Sequence, residues 1–365
     1  MRILHLISGG ETGGSKNHLL SLLEKCRDED IYLGVFQEGR LSEEARHKGI
    51  PVFVFGQRSR YDFSIIPKLK KMILEKEIDI VHTHGPRANL FAFFLKRLIS
   101  FIWITTIHSD PEKDFIKGGV KGRVFTRLNM TVIKRIDHFF AVSERFKEML
   151  VGFGISASKI TTIYNGISFD LGLKATKFRS DLGISDEEFI IIMVARLHPI
   201  KGHIVAFEAI NRLNQHGNKV KLLLVGNGPI EQELKANVEK LQITDQVMFL
   251  GYQEDVHSYL ALSDVKLLAS YSESFPLVIL EAARADTPVI STDVGGVKDL
   301  ISDRKYGWII AIKNVDELVL AIEEAIEQKN SDKLRQIGLN LHEKASKEYS
   351  LDQLVAKTLK TYRSL

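Results

Sequence analysis

Short runs of β-branched and aliphatic residues alternate with amphipathic stretches twice along the chain, and this alternation constrains the fold more than any other feature. The first series extends from RILHLIS, which begins at residue 2, to KITTIY, which ends at residue 164. The second begins with FIIIMVA at residue 189 and reaches WIIA at residue 308, before two amphipathic helices predicted at about 331–347 and 351–364. Strands that alternate with helices form a parallel sheet with helices on both faces. The sequence therefore predicts two doubly wound, Rossmann-like α/β domains.

The break between the two series lies at residues 168–187, where glycines and charges cluster and neither pattern continues. We place the interdomain linker there, with a first domain over residues 1–172 and a second over residues 173–350. A length of 365 residues suits two domains of this size. Ligands of such sheets bind outside the carboxyl ends of the strands, so we expect the two domains to face each other across a ligand-binding cleft.

Three features indicate a soluble protein of a reducing compartment. The single cysteine, Cys26, cannot form an intramolecular disulfide, and no Cys/His cluster has the spacing of a zinc site. The N-terminal apolar run is too short for a secretory signal, because Gly9-Gly10 follow it at once, and we interpret it as the first strand. The most apolar stretch, residues 88–107, contains Lys96-Arg97 and falls short of a membrane span.

Charge is distributed unevenly between the predicted domains. Residues 1–172 contain 26 Lys and Arg against 19 Asp and Glu, whereas residues 173–365 contain 24 against 27. The basic excess predicts that the first domain meets an anionic partner. Basic and apolar residues interleave over residues 113–135, which is typical of a helix that lies on an anionic membrane surface and equally of a solvated helix that covers a sheet.

A glycine-rich loop, Gly9 to Ser15, follows the first predicted strand and precedes a helix. Backbone amides and a helix N-terminus at such a place can approach an anion. The loop is not a Walker P-loop, because Ser15 precedes Lys16, and it lacks the dinucleotide-binding fingerprint. An anion-binding loop and a plain tight turn both remain open.

Histidines end two predicted strands of the first domain. His108 follows the fifth strand, and His82 and His84 end the fourth. Side chains at the carboxyl ends of parallel strands reach the ligand, and an imidazole there can donate to a sugar hydroxyl or face developing positive charge. His108 is the stronger candidate, and a structural role remains open for all three.

Two cations follow the first strand of the second domain. Arg196 and Lys201 lie on one strand-to-helix loop, where they can clamp a diphosphate and neutralise its charge as it departs, although surface pairs of this kind are common. The next predicted strand ends in Gly226-Asn227-Gly228-Pro229, ahead of another helix.

The most specific segment is SESFPLVILEAA, residues 272–283. Its helix is apolar all round except for Glu281, so this carboxylate needs a partner, and a ribose diol is one. A surface pair with Arg284 is the alternative. Glu273, ahead of the helix, can accept hydrogen bonds from sugar hydroxyls. The only D-x-D sequence, Asp28-Glu29-Asp30, lies on a predicted turn away from the carboxyl-end loops, so no magnesium ligands are assigned.

Taken in order along the chain, these motifs resemble the family-four retaining glycosyltransferases with the GT-B fold. The resemblance covers essentially the whole chain, and the order of its parts carries it. The parts are the glycine loop, T-x-H at 106–108, A-V-S at 141–143, Y-N-G-I at 164–167, R-L-x-x-x-K-G at 196–202, G-x-G-P at 226–229, the glutamates at 273 and 281, P-V-I at 288–290 and G-G at 295–296.

The resemblance implies roles for the matching residues. Arg196 and Lys201 would bind the donor diphosphate, Glu281 the ribose and Glu273 the transferred sugar, all in a nucleotide-sugar-binding second domain. His108 would lie in an acceptor-binding first domain and join Arg196, Lys201 and Glu273 in catalysis. The other donor-binding positions are Gly13, Gly14, Gly226, Asn227, Gly228, Ser274, Phe275, Pro276 and Leu277, and Gly14 and Ser15 accompany His108 on the acceptor side.

The resemblance also implies the chemistry. A hexosyl group would be transferred with retention by same-face attack, with the leaving phosphate helping to deprotonate the acceptor and with no metal or cofactor. The final helix, 351–365, would cross back to the first domain. We expect a UDP-sugar donor and a glycan, capsule or lipid-linked envelope precursor as acceptor, in the cytoplasm or at the inner face of the membrane, and no nucleic-acid partner.

The chain departs from the family pattern at four positions. Ser274 and Pro276 stand where glycines are common, Asp286 replaces a usual glycine, and Asp299 replaces a usual glutamate, which leaves that donor contact open. Two other functions remain as alternatives. A nucleotide-sugar 2-epimerase shares the fold and the diphosphate site, and a non-catalytic sugar-nucleotide-binding protein would bind the donor without turnover.

Overall fold

The computed structural model describes residues 1–11, 14–112, 114, 119–329 and 331–365, apart from the side chain of Ser15. The chain divides into two compact units, residues 1–166 with 351–365 and residues 167–350. The segment 168–187, expected as a linker, lies within the second unit. There the backbone amide of Thr176 donates to the Ser258 hydroxyl at 2.8 Å.

The first unit is built on a seven-stranded parallel sheet. Its strands are β1 (Ile3–Ile7), β2 (Ile31–Val35), β3 (Val52–Val54), β4 (Ile80–His84), β5 (Ile102–Ile107), β6 (His138–Ala141) and β7 (Ile160–Thr162). Their order across the sheet is β3-β2-β1-β4-β5-β6-β7. The central strands β1 and β4 are buried at every residue, as expected for strands covered by helices on both faces, although they include the polar residues His5, His82, Thr83 and His84.

Helices alternate with these strands. Within the described residues they are α1 (Gly14–Lys25), α2 (Arg40–His47), α3 (Ile65–Glu75), α4 (Pro86–Leu95), α5 (Gly119–Ile133) and α6 (Glu144–Gly152). One face of each helix supplies the core: Leu19 and Leu23 of α1, for example, pack in one cluster with Ile104 of β5.

The second unit repeats the plan with a six-stranded parallel sheet. Its strands are β8 (Phe189–Val194), β9 (Val220–Val225), β10 (Val247–Gly251), β11 (Val265–Leu268), β12 (Val289–Thr292) and β13 (Trp308–Ile310). Their order is β10-β9-β8-β11-β12-β13, so the direction of strand addition reverses between β8 and β11. The predicted fold class, two doubly wound Rossmann-like units, is confirmed for both sheets.

Helices cover both faces of the second sheet. They are α7 (His203–Gln215), α8 (Glu231–Lys240), α9 (Val256–Ala261), α10 (Leu277–Arg284), α11 (Val297–Leu300), α12 (Val315–Lys329) and α13 (Lys333–Glu348). Phe207 of α7, Ile322 of α12 and Trp308 of β13 are fully buried in one core cluster.

The final helix, α14 (Leu351–Ser364), belongs to the first unit, as predicted. Its buried residues include Leu351, Leu354, Thr358 and Tyr362, which recur at intervals of three or four along one face. Tyr362 stacks on Phe140 of β6 with ring centroids 5.6 Å apart. The C-terminal helix therefore closes one face of the first sheet.

Candidate active site

The loops that leave the carboxyl ends of β8 and β11 carry the charged residues predicted for donor binding. This is the point at which the strand order reverses and at which doubly wound sheets leave a crevice. Arg196 follows β8 and is exposed, and its side chain makes no hydrogen bond or ion pair in the described part of the chain. Lys201 ends a 3₁₀ turn, Pro199–Lys201, that precedes α7.

Lys201 and Glu273 form an ion pair, with the Lys201 ammonium 2.5 Å from the Glu273 carboxylate. Their side chains are only 21% and 15% exposed. The structure thus brings together a residue predicted for the diphosphate and a residue predicted for the transferred sugar. Because the pair is partly shielded from water, each charge holds the other in a defined position at the sheet edge.

Two glycines let the loops of this edge pack backbone against backbone. Gly202 has φ +71, and a Cβ there would lie 2.1 Å from the carbonyl oxygen of Ala269 at the end of β11. A Cβ on Gly228 would lie 2.1 Å from the carbonyl oxygen of Leu197. Contacts this close exclude any side chain, so glycine at these motif positions keeps the Arg196–Lys201 loop against its neighbours.

Glu281 lies on α10 with a carboxylate that has no hydrogen-bond or ion-pair partner among the described residues. Burial raises the pKa of this carboxyl, while the positive charges of Arg284 and Lys266 lower it. Arg284 does not form the expected alternative ion pair with Glu281, because its guanidinium donates to the carbonyl oxygen of Ser168 at 3.0 Å. Glu281 is therefore a half-buried acceptor available to a ligand hydroxyl.

The remaining predicted donor-binding positions of the second unit lie on the loops after β9 and β11 and at the start of α10. Gly226 and Asn227 lie in the loop after β9, and Phe275, buried, stacks on Tyr349 with centroids 5.5 Å apart. The carbonyl oxygen of Ser274 accepts a hydrogen bond from the Gly296 amide at 3.1 Å, which ties this loop to the G-G turn after β12. Pro276 caps α10 and Leu277 begins it.

One of the departures from the family pattern, Asp286, has a local explanation. Asp286 has φ +55, so the backbone adopts the left-handed conformation that a glycine would favour. The cost is partly offset because its carboxylate lies 2.6 Å from Nδ1 of His342. Asp299 lies on the short helix α11.

In the first unit, His108 ends a chain of buried histidines that sequence reasoning noticed only in part. Nδ1 of His84 lies 3.3 Å from Nε2 of His108, and Nε2 of His84 lies 3.0 Å from Nδ1 of His5. Burial lowers the pKa of His5 to about 3 and that of His108 to about 4, so both are neutral at physiological pH. His108 therefore offers a neutral imidazole at the carboxyl end of β5.

Tyr362 of α14 anchors the other end of this network. Its hydroxyl lies 3.2 Å from Nε2 of His5 and also contacts Nδ1 of His82. Nε2 of His82 lies 2.7 Å from the hydroxyl of Thr106. Nitrogens of His5, His82 and His84 lie within 4.8 Å of one another, but the rings stack and their nitrogens are engaged in these hydrogen bonds. His82 and His84 are thus packed network residues, while His108 remains partly exposed.

The glycine loop is described only in part. Gly13 lies outside the described residues. Gly14 begins α1, exposed and with open space where a Cβ would stand, and Ser15 follows it on the same helix.

The Asp28-Glu29-Asp30 turn is tied to the C-terminal helix through a 2.8 Å ion pair between Glu29 and Arg363.

Two family descriptions match the chain and together span most of it. Residues 12–171 match the family described as Glycosyltransferase Family 4, and residues 174–341 match Glycosyl transferases group 1. The chain belongs to the family-four glycosyltransferases. It is therefore a glycosyltransferase, and its Arg196, Lys201, Glu273 and Glu281 all lie in the group 1 region.

Known glycosyltransferases resemble this one along most of their length. It is 27% identical to the N-acetyl-alpha-D-glucosaminyl L-malate synthase of Bacillus anthracis over 81% of this chain and 77% of that protein. It is 25% identical to the UDP-Gal:alpha-D-GlcNAc-diphosphoundecaprenol alpha-1,3-galactosyltransferase of Escherichia coli over 73% and 71%. The crystal structure of Anabaena Alr3699/HepE in complex with UDP shares the fold, with a TM-score of 0.88, 23% identity and 100% coverage of both chains.

One residue of this glycosyltransferase that sequence reasoning missed is Lys266. It lies on β11 and is fully buried, with its ammonium donating to the carbonyl oxygen of Leu267. Burial and the nearby charge of Lys201 lower its pKa to about 7, while Glu273 and Glu281 act in the opposite direction. A lysine within the apolar strand VKLL was the available signal. Lys266 thus places a buried amino group near the charges of Lys201, Glu273 and Glu281 in the predicted donor site.

Proposed function

We propose that this glycosyltransferase transfers a hexosyl group from a UDP-sugar, with retention of anomeric configuration and without a metal ion, to a glycan or lipid-linked envelope or capsule precursor. The observation that carries the proposal is the shielded Lys201–Glu273 pair beside the free carboxylate of Glu281 at the switch point of one sheet. Such a site offers a cation for a diphosphate, and acceptors for a sugar and a ribose.

In the proposed mechanism Arg196 and Lys201 contact the donor diphosphate. Negative charge accumulates on the phosphate oxygens as the glycosidic bond breaks, so the two cations stabilise the transition state more than the ground state. Glu273 orients Lys201 and accepts hydrogen bonds from the sugar. The acceptor oxygen attacks from the face that the phosphate leaves, and its proton passes to a departing phosphate oxygen.

Relatives support the choice of substrates. The solved Anabaena structure is a UDP complex, and the Escherichia coli relative is named for a UDP-sugar donor and a diphosphoundecaprenol acceptor. The Bacillus anthracis relative is named for L-malate. UDP appears in the Anabaena and Escherichia coli descriptions, and the two named acceptors, L-malate and a diphosphoundecaprenol-linked sugar, both carry an anionic group. We propose a UDP-sugar donor and an anionic acceptor for this chain.

We also propose peripheral contact with an anionic membrane surface at the cytoplasmic face. Val120, Val124 and Leu128 of α5 are 78%, 61% and 40% exposed and recur every four residues, so they form one apolar stripe. Exposed cations flank the stripe: Lys121, Arg123 and Arg127. Lys113 and residues 115–118 of the predicted segment lie outside the described residues. No helix in the described part of the chain is long and apolar enough to span a bilayer.

Substitution of Lys201 tests the proposed chemistry. Lys201→Ala should lower kcat by about 10²–10³, because comparable deletions of a preorganised charge cost ~2.7–4 kcal/mol in the transition state. Glu281→Ala should instead raise the donor KM and leave kcat nearly unchanged, because the ribose is remote from the breaking bond. Lys219→Ala is a matched control, since Lys219 is an exposed lysine that pairs with Glu187 at 2.6 Å.

Steady-state kinetics with a panel of nucleotide sugars, with and without EDTA, provides the measurement, and the anomeric proton coupling of the product reports retention. Near-normal turnover by Lys201→Ala at saturating donor would refute the clamp. Activity lost with EDTA and restored by magnesium would refute the metal-free mechanism. UDP-sugar binding without turnover would favour the non-catalytic alternative.

A further inference from the structure

The first unit contains a cavity of about 770 Å³, and none of the described residues predicted for the donor or acceptor site lines it. It lies at the carboxyl edge of the sheet, because its walls come from the segments that follow β1, β2 and β4. This volume is typical of small-molecule sites and accommodates a monosaccharide or disaccharide. Its charged and aromatic lining residues are Glu11, Arg60, Tyr61, Arg87, Asp114 and Phe125.

Two guanidinium groups in this cavity lack an acidic partner. Neither Arg60 nor Arg87 forms an ion pair within the described residues. One terminal nitrogen of Arg87 donates to the side-chain oxygen of Gln57, but its Nε is buried with no hydrogen-bond partner among the described residues. Burial lowers the pKa of Arg87, the charge of Arg60 lowers it further, and the charge of Glu11 acts in the opposite direction. The positive charges of Arg60 and Arg87 repel each other, and Nε of Arg87 is a buried hydrogen-bond donor. An anion bound between the two guanidinium groups would stabilise both.

Among the described residues, the acidic residues of the cavity form hydrogen bonds of their own and no ion pair with Arg60 or Arg87. The Glu11 carboxylate accepts hydrogen bonds from the backbone amides of Ser8 at 3.2 Å and Gly9 at 2.7 Å. The Asp114 carboxylate accepts one from the Ser109 hydroxyl at 2.6 Å, and burial raises its pKa. Both carboxylates retain lone pairs that can accept hydrogen bonds from ligand hydroxyls.

An aromatic wall completes the cavity. The rings of Tyr61 and Phe125 stack with centroids 6.0 Å apart and an interplanar angle of 17°. Tyr61 is 59% exposed, so its ring remains available to the apolar face of a sugar ring. Phe125 lies on α5, the helix of the exposed apolar stripe.

We propose that this cavity binds the acceptor, and that the acceptor joins an anionic group, phosphate or carboxylate, to a hydroxyl-bearing ring. Arg60 and Arg87 hold the anion, Glu11 and Asp114 receive hydroxyls, and Tyr61 packs against the ring. A second, small cavity of about 30 Å³ is lined by His108 and shares Pro86 and Asp114 with the first, so His108 lies beside the proposed acceptor site. The assignment of the ligand as an acceptor rests on the proposed function, whereas the anion site itself does not.

Binding of small sugars to the full-length protein without nucleotide tests the site. Calorimetric titration would compare N-acetylglucosamine 1-phosphate, glucuronic acid and uncharged N-acetylglucosamine. At least one anionic sugar should bind about tenfold or more tightly than the uncharged one, because charge-assisted hydrogen bonds to guanidinium are strong. Preference for the phosphate identifies a glycosyl phosphate acceptor, and preference for the carboxylate identifies a sugar acid.

Arg60→Gln and Arg87→Gln should each remove the preference for an anionic sugar over uncharged N-acetylglucosamine. Arg58→Gln is the matched control, because Arg58 is an exposed arginine of the same segment that does not line the cavity. Because the Arg60 side chain is exposed, the Arg60→Gln protein should fold normally. It therefore tests the site even if Arg87→Gln prevents folding. Equal affinity for charged and uncharged sugars, or an equal loss in Arg58→Gln, overturns the proposal. UDP binding, titrated separately, decides the proposed function independently of this result.

Discussion

At the scale of single residues, burial decides the protonation of the histidines in the first unit. Burial lowers the pKa of His5 and His18 to about 3 and that of His108 to about 4. In the unfolded chain a histidine titrates near 6.5. Between the lowered pKa of a buried histidine and 6.5, the unfolded state binds more protons than the folded state. The folded state therefore loses stability as the pH falls below about 6.5.

We therefore expect the free energy of unfolding to fall from pH 7 to pH 5, by about 2 kcal/mol for each fully buried imidazole. His5→Gln should show a shallower dependence on pH than the unsubstituted protein. His216→Gln should keep the full dependence, because the His216 side chain is exposed to solvent. Urea unfolding at several pH values measures the slopes, and identical slopes for all three proteins would contradict this account.

Residue identities predicted the charged parts of the donor site, but not their pairing. Arg196, Lys201, Glu273 and Glu281 were named from motifs that precede or begin helices. The contact between Lys201 and Glu273 joins residues 72 positions apart, and it depends on β8 and β11 being neighbours. Lys266 stands out within the apolar strand VKLL, but the sequence does not show that every residue of this strand is buried, so the lysine was missed.

At the scale of secondary structure elements, periodicity located the strands of both sheets. Apolar β-branched runs predict buried parallel strands, and each predicted run overlaps an observed strand. The helix predicted from Pro276 to Ala283 is observed over Leu277–Arg284, with Ile279, Leu280, Ala282 and Ala283 buried. Element ends shift by a residue or two because caps and packing, and not periodicity, determine where a helix stops.

The helix α5 gives a prediction at this scale. The protein should co-sediment with anionic liposomes at low salt, and Val120→Ser with Val124→Ser should weaken that binding by roughly tenfold or more, because both side chains would otherwise leave water for the lipid interface. Leu74→Ser is the control, since Leu74 is a 56% exposed apolar residue of α3 in the same unit. Absence of co-sedimentation by the unsubstituted protein would remove the membrane contact and leave the enzymatic proposal unaffected.

At the scale of the whole molecule, the chain leaves its first unit after residue 166 and returns to it with α14. Tyr362 is 1% exposed and joins the histidines of β1 and β4 to the C-terminal helix. A chain that ends at Ser350 should therefore lose hydrogen-exchange protection in β1 and β4, while β8 and β9 of the second unit stay protected. A chain that ends at Arg363 keeps Tyr362 and should behave as the full chain does. Unchanged protection in β1 and β4 of the shorter chain would show that α14 is dispensable to that unit.

The sequence by itself determined the two doubly wound units, the order of their strands along the chain and the residue types at the carboxyl ends. These follow from periodicity and turn chemistry, which act between residues close in the chain. Only the tertiary structure decided that Lys201 pairs with Glu273, that Lys266 is buried near them, that four histidines and Tyr362 form one network, and that Arg60 and Arg87 share a cavity. Each of these depends on which strands and helices become neighbours, and that choice is made by burial of apolar surface across the whole unit.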